Sequence, residues 1–190
     1  MITKTHAVDE VFGINRDLPL NYVDRESADT VLINNLARRQ HLVIYGSSKQ
    51  GKTSLRKHCL SDEDYIVIHC SNKWGLEHIH EGILKQAGFE LTVSTSLATS
   101  GKQKIFAKIK TSFLGAGAEG GAEAERGKQE SITKAPLELD PIDVNDIISA
   151  LENIGFVKNI VLEDFHYLPI ETQKDFSVAL KAFHENSKFC

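Results

Sequence analysis

Residues Gly46-Ser47-Ser48-Lys49-Gln50-Gly51-Lys52-Thr53 fit the phosphate-binding pattern G-x-x-x-x-G-K-[ST] at every fixed position. The flanks fit as well. His41-Leu42-Val43-Ile44-Tyr45 is a short apolar run that predicts a buried strand, and Ser54 to Leu60 can continue as a helix. A strand feeding a glycine loop feeding a helix aims several backbone N–H groups and the positive end of a helix dipole at one spot. That spot suits a polyphosphate.

The chemistry accounts for each residue type. Gly46 and Gly51 allow backbone dihedrals and close approaches that a side chain forbids. Lys52 supplies a point charge for β and γ phosphates, and Thr53 a hydroxyl for Mg²⁺. Residues Gly46, Ser47, Ser48, Lys49, Gln50, Gly51, Lys52, Thr53 and Ser54 are therefore the expected nucleotide-binding stretch. A nucleoside triphosphate with Mg²⁺ is the expected ligand.

Composition bounds the rest. The chain has 190 residues, enough for one domain, with 25% charged and 41% hydrophobic residues, which is ordinary for a globular protein. Net charge is −4, so no global basic field argues for nucleic acid. No apolar run approaches the roughly 20 residues needed to cross a bilayer, and no apolar signal segment follows Met1. Cys59, Cys70 and Cys190 form no disulfide framework and no C-x-x-C, so a cytoplasmic location is expected.

Residues 1–30 are polar with isolated apolar anchors and read as an N-terminal extension; residues 31–190 read as the core. Helices are expected over Asp29–Arg39, Trp74–Gly88, Asp143–Ile154 and Glu171–Asn186. Tyr65–Cys70 and Asn159–Leu162 are continuous apolar runs of the kind found in strands covered on both faces. Residues 92–135 change character. Ile105 to Lys110 alternates like a half-exposed strand, and Gly115–Arg126, with four Gly and four Ala, cannot supply a core. An inserted β-hairpin with a disordered tip is expected there. The alternation of strand and helix argues an α/β fold with a mainly parallel sheet.

A phosphate loop needs an acidic partner at the end of a neighbouring buried strand. Ile160-Val161-Leu162-Glu163-Asp164 has that form. Alternate strand residues point to opposite faces, so the two carboxylates cannot share one role. Glu163 is assigned to the metal side, through a water, and Asp164 to the general base. The alternative is an acidic pair that caps the next helix, Asp164 especially. His166 reads either as a γ-phosphate sensor or as a structural residue of the turn. His78 and His80, two apart on a helix, face away from each other and are poor metal partners. Trp74 reads as core. Lys102, Lys104, Lys108 and Lys110 read as a solvated strand face, with a nucleic-acid contact as the alternative.

Three absences narrow the class. Asn72-Lys73-Trp74-Gly75 lacks the Asp of a guanine-reading N-K-x-D, no L-S-G-G-Q is present, and no Arg follows Arg126 to furnish a kinase-type lid. The segments Tyr22-Val23-Asp24-Arg25-Glu26, Leu36 to Leu55 and Ile160 to His166 together resemble AAA+ and STAND-type ATPases. This chain carries Asp24 where those families often have Gly, and Glu163 first in the acidic pair. The resemblance implies a P-loop NTPase fold with Walker A and Walker B elements, and Tyr22 and Arg25 near an adenine. It implies Lys52, Glu163 and Asp164 in Mg-dependent hydrolysis, as the switch of a homo-oligomer or larger assembly. A non-hydrolysing ATP-binding scaffold is the alternative, and a small-molecule kinase a weaker one. The family's γ-phosphate sensor, arginine finger and helical lid would lie beyond Cys190, so a truncated domain with poor turnover is expected.

Overall fold

The computed structural model describes residues 5–8, 11, 18, 20–38, 40–93, 104–110 and 136–187. The expectations for Gly115–Arg126, for Lys102 and for the residues around Cys190 lie outside this set. The fold is α/β, and the chain divides between Tyr65 and Ile66 into two compact units. None of the described helices is long and apolar enough to cross a membrane.

The first unit is built on two helices that pack together, α1 (Glu26–Ala37) and α2 (Lys52–Cys59), with Leu32 and Leu55 buried. Helix α1 starts three residues before the expected position. Its first turn carries Glu26 and Asp29, whose charges suit the positive helix end, and the Asp29 carboxylate reaches back to the N–H of the N-cap residue Arg25. Gly51 is the N-cap of α2, in the left-handed region at φ 73° and ψ 27°. Leu60 leaves the helix in an extended conformation.

The expected buried strand over His41–Tyr45 is not formed. These residues have no regular secondary structure, and Val43 and Tyr45 are 86% and 90% exposed. The physical reason is a missing ladder. A strand needs a neighbour to take its N–H and C=O groups, and among the described residues before Tyr65 none is in a strand.

The second unit carries β1 (Tyr65–His69, continuing the chain from Tyr65), α3 (Leu76–Gln86), β2 (Phe89–Val93), β3 (Ile105–Ile109), β4 (Leu137–Leu139), α4 (Val144–Asn153), β5 (Asn159–Glu163), a 3₁₀ turn (Phe165–Tyr167) and α5 (Ile170–Asn186). Strands β1 and β5 form a two-stranded parallel sheet. The larger sheet is antiparallel, in the order β2-β3-β4, with Phe89 opposite Ile109 and Ile105 opposite Leu139. The mainly parallel sheet of the sequence reading is thus reduced to one parallel pair. Strand β5 is half-buried throughout, whereas Tyr65, Ile66 and Ile68 of β1 are buried.

The core of this unit is shared by helices and sheet. Helix α3 contributes Ile79, Ile83 and Leu84 at helical spacing, and α4 contributes Ile147, Ile148 and Leu151. Phe176 and Phe183 of α5 join them. Strand β3 alternates as predicted, but its inner residues Ile105 and Ala107 are part of this core rather than of an appended hairpin. Helices α3 and α4 stop just before the glycines that the sequence marks as their ends. Gly88 (φ 103°) and Gly155 (φ 65°) follow α3 and α4 in conformations that favour glycine. Asp143 caps α4, its side chain accepting the Asn145 N–H at 2.9 Å.

Candidate functional site

The glycine loop of the first unit turns sharply. Gly46 has φ 152°, Lys49 φ 62° and Gly51 φ 73°. Lys49 has no glycine's licence for that conformation, which costs a non-glycine residue about 1–2 kcal/mol. Left-handed residues beside right-handed ones gather successive N–H groups into a concavity that suits anions. Residues 43–50 and Thr53 are exposed, so the loop and its hydroxyl are open to solvent. The Lys52 ammonium folds back across the loop and donates to the carbonyls of Gly46 and Ser47, each at 2.9 Å.

Arg25 lies against this loop, with Tyr22 beside it. Arg25 donates to the Gln50 carbonyl at 3.2 Å and to the Gly51 carbonyl at 3.4 Å. Its guanidinium stands 5.6 Å from the centre of the Tyr22 ring. The Tyr22 ring stacks on His58 of α2 at 4.4 Å, and its hydroxyl donates to Asp29 Oδ1 at 2.8 Å. Arg25 thus contacts the loop through its backbone carbonyls.

Burial pushes the Asp29 carboxyl upward, but the bonds from the Arg25 N–H and the Tyr22 hydroxyl outweigh it, with help from the nearby His58 and Arg25, and the net shift is downward. Asp24, Asp29 and His58 bring one ligand atom each within 4.8 Å of one another. The group is internally satisfied: His58 Nε2 pairs with Asp24 Oδ1 at 3.0 Å, and both Asp29 oxygens accept hydrogen bonds.

The acidic pair belongs to the second unit. Strand β5 ends at Glu163, and Asp164 turns into the left-handed region at φ 58° and ψ 28°. The strand alternation rule therefore stops at Glu163, and the backbone turn separates the two carboxylates. Glu163 Oε2 lies 3.4 Å from His69 Nδ1, at the matching end of the parallel neighbour β1, and the Glu163 carbonyl accepts the Cys70 N–H at 2.9 Å. Burial, reinforced by the charge of Asp164, pushes the Cys70 thiol up to about 11. The capping alternative for Asp164 is not realised, because its side chain makes no cap hydrogen bond to the 3₁₀ turn, and Pro169 is the N-cap of α5.

No protein-family model, curated protein or solved structure matches the chain.

The remaining candidates sort by environment. His166 is exposed, its ring 4.1 Å from that of Tyr167. Trp74 packs against the core, and its carbonyl accepts the Thr172 hydroxyl at 2.9 Å. His78 is exposed beside Glu77, whereas His80 is fully buried, with Nδ1 2.8 Å from the Pro141 carbonyl. Lys104 pairs with Glu138 of β4, and Lys108 and Lys110 are exposed.

Three residues around these sites escaped sequence reasoning. Asp29 is four positions after an N-cap, a spacing that reads as helix start. His58 follows Lys57 in a basic last turn of α2, and His69 is the final residue of an apolar run. For His69 the usable signal was its place at the strand's end, opposite the acidic end of the next parallel strand.

Proposed function

We propose that the chain binds Mg·ATP through Gly46–Ser54 and hydrolyses it as the switch module of an AAA+/STAND-like ATPase with a P-loop NTPase fold. The observation that carries the reading is the loop itself. A left-handed Gly51 opens α2, Thr53 in its first turn is exposed, and Lys52 is held across the loop by two carbonyls that an anion would outcompete. In this reading Lys52 would bind the β and γ phosphates and Thr53 would offer its hydroxyl to Mg²⁺. The metal-side carboxylate would be Glu163, through a water, and the general base would be Asp164. Tyr22 and Arg25 line the adenine side.

The site's chemistry favours binding on its own terms. Phosphate oxygens gain charge-assisted bonds from Lys52 and from the loop amides alike, because the acceptor is ionised. Turnover needs the acidic pair in addition. Glu163 beside His69 gives a specific ground for the alternative, a scaffold that binds ATP without hydrolysing it, because a carboxylate paired with an imidazole is less available to a metal's water shell. Measuring phosphate release by wild type and Asp164→Asn separates the two. Release that falls with the substitution supports hydrolysis, and bound ATP with no release in either protein supports the scaffold.

A further inference from the structure

We propose that Asp29 is a positioning residue for the phosphate loop, acting through Arg25; the inference rests on the reading of Gly46–Ser54 as a triphosphate site. Asp29 is 7% exposed and sits in the first turn of α1. One carboxylate oxygen accepts the Arg25 N–H at 2.7 Å and the other accepts the Tyr22 hydroxyl at 2.8 Å. The two bonds grip both ends of the Tyr22–Arg25 segment at once.

The gripped segment in turn holds the loop. The Arg25 guanidinium is located from its own backbone by Asp29 and from the side by Tyr22, whose hydroxyl oxygen is 3.5 Å from Nη2. From there it spans the carbonyls of Gln50 and Gly51, the two residues just before Lys52. These carbonyls belong to the peptides whose orientation sets where the amides of Gly51 and Lys52 point. A planar fork with several donors in fixed geometry suits that task better than a point charge. The Asp29 carboxylate also supplies a negative charge close to Arg25, so the cation keeps an anionic neighbour while it faces the loop from behind. The chain of contact runs Asp29, Arg25, Gly51, and ends at the amides that would face phosphate.

The test is run on the full chain with two readouts, amide hydrogen exchange without nucleotide and binding of a fluorescent ATP analogue with Mg²⁺. Asp29→Asn keeps the shape and removes the charge that accepts both bonds. Amides of residues 50–54 should exchange about tenfold faster and the analogue should bind about tenfold more weakly, the order expected for losing a hydrogen bond to a charged group. Arg25→Gln should do the same, and Arg25→Lys should not restore the loop. The double variant should be no worse than either single one, because both act along one path.

Additive effects, or exchange that rises along α1 while residues 50–54 stay unchanged, would overturn the proposal. Tyr22→Phe removes only one bond to Asp29, and should raise exchange in the same amides by a smaller factor. It keeps the test decisive if Asp29→Asn does not fold, and an unchanged loop in Tyr22→Phe overturns the proposal. Exchange needs no nucleotide, so it judges Asp29 even if Lys52→Ala shows that the loop does not bind ATP.

Discussion

The Lys52 ammonium lies 2.9 Å from the carbonyl oxygen of Gly46, six residues back along the chain, and at the same distance from that of Ser47. The lysine closes the loop on itself. A phosphate entering the loop would offer the ammonium a full negative charge in place of two carbonyl dipoles, which strengthens the pairing. In the proposed site that is the place an anion would take.

Gly51 should not tolerate a side chain. A Cβ there would meet only Arg25, no closer than 3.8 Å, which is ordinary contact. The cost is thus backbone strain at φ 73°, about 1–2 kcal/mol for a residue forced into the left-handed region. Gly51→Ala should lower the melting temperature and weaken nucleotide binding together. Unchanged melting of Gly51→Ala would show that the left-handed turn is not the native one.

The second unit should be sensitive to acid through His80. The Pro141 carbonyl accepts from Nδ1–H, while Nε2 is buried with no hydrogen-bond partner among the described residues. Burial pushes the His80 pKa down, against smaller opposing contributions from the Pro141 carbonyl, Glu77 and Asp143. The edge of the Phe183 ring is its aromatic neighbour. A depressed folded value means that the unfolded chain binds the proton more readily. The stability is complete above the unfolded value of about 6.5 and is lost as pH falls from there toward the folded value. Wild type should lose stability to denaturant on going from pH 7 to 5, and His80→Leu should lose less over the same window. His80→Leu should also be less stable than wild type at pH 8, by about 1–3 kcal/mol, because the Pro141 carbonyl loses its donor.

Cys70 should be a slow thiol. With its value raised to about 11, against 9.0 for an unperturbed thiol, its thiolate fraction at pH 8 falls by about 100-fold. Labelling with a maleimide should distinguish it from Cys59, which is only partly buried. Because the Asp164 charge adds to the shift, Asp164→Asn should speed Cys70 labelling in native protein. Equal rates in the two proteins would contradict the placement of Asp164 beside the end of β1.

Helix α4 should carry much of the second unit's stability. Leu151 is fully buried in the core that α4 shares with α3 and α5, and Leu151→Ala leaves a cavity there. A loss of about 2–5 kcal/mol is expected in chemical denaturation. Val157→Ala, at a residue 82% exposed, is the control and should change stability by less than about 0.5 kcal/mol.

What the sequence revealed, and what it hid, follows from range. Helices α3, α4 and α5 were legible because their apolar stripes and stop signals lie within one segment: Ile79, Ile83 and Leu84 before Gly88, and Ile147, Ile148 and Leu151 before Gly155. The loop was legible for the same reason, since its glycines and lysine are contiguous. Strands depend on partners far along the chain. His41–Tyr45 has the composition of a buried strand and no ladder, whereas Phe89–Val93 and Leu137–Leu139 become strands because β3 lies between them. The Asp29 contacts were hidden for a related reason. A carboxylate four residues after an N-cap reads as helix start, and only the folded chain shows it gripping Tyr22 and Arg25.

The proposed triphosphate site at Gly46–Ser54 has Lys52 at its centre. Its most direct test is Mg·ATP binding by isothermal titration, wild type against Lys52→Ala, with circular dichroism to show that both are folded. The account predicts saturable binding by wild type and affinity weaker by about tenfold or more in Lys52→Ala, as expected for losing charge-assisted contacts to phosphate. Equal affinity in the two proteins, or no binding by folded wild type, would contradict it.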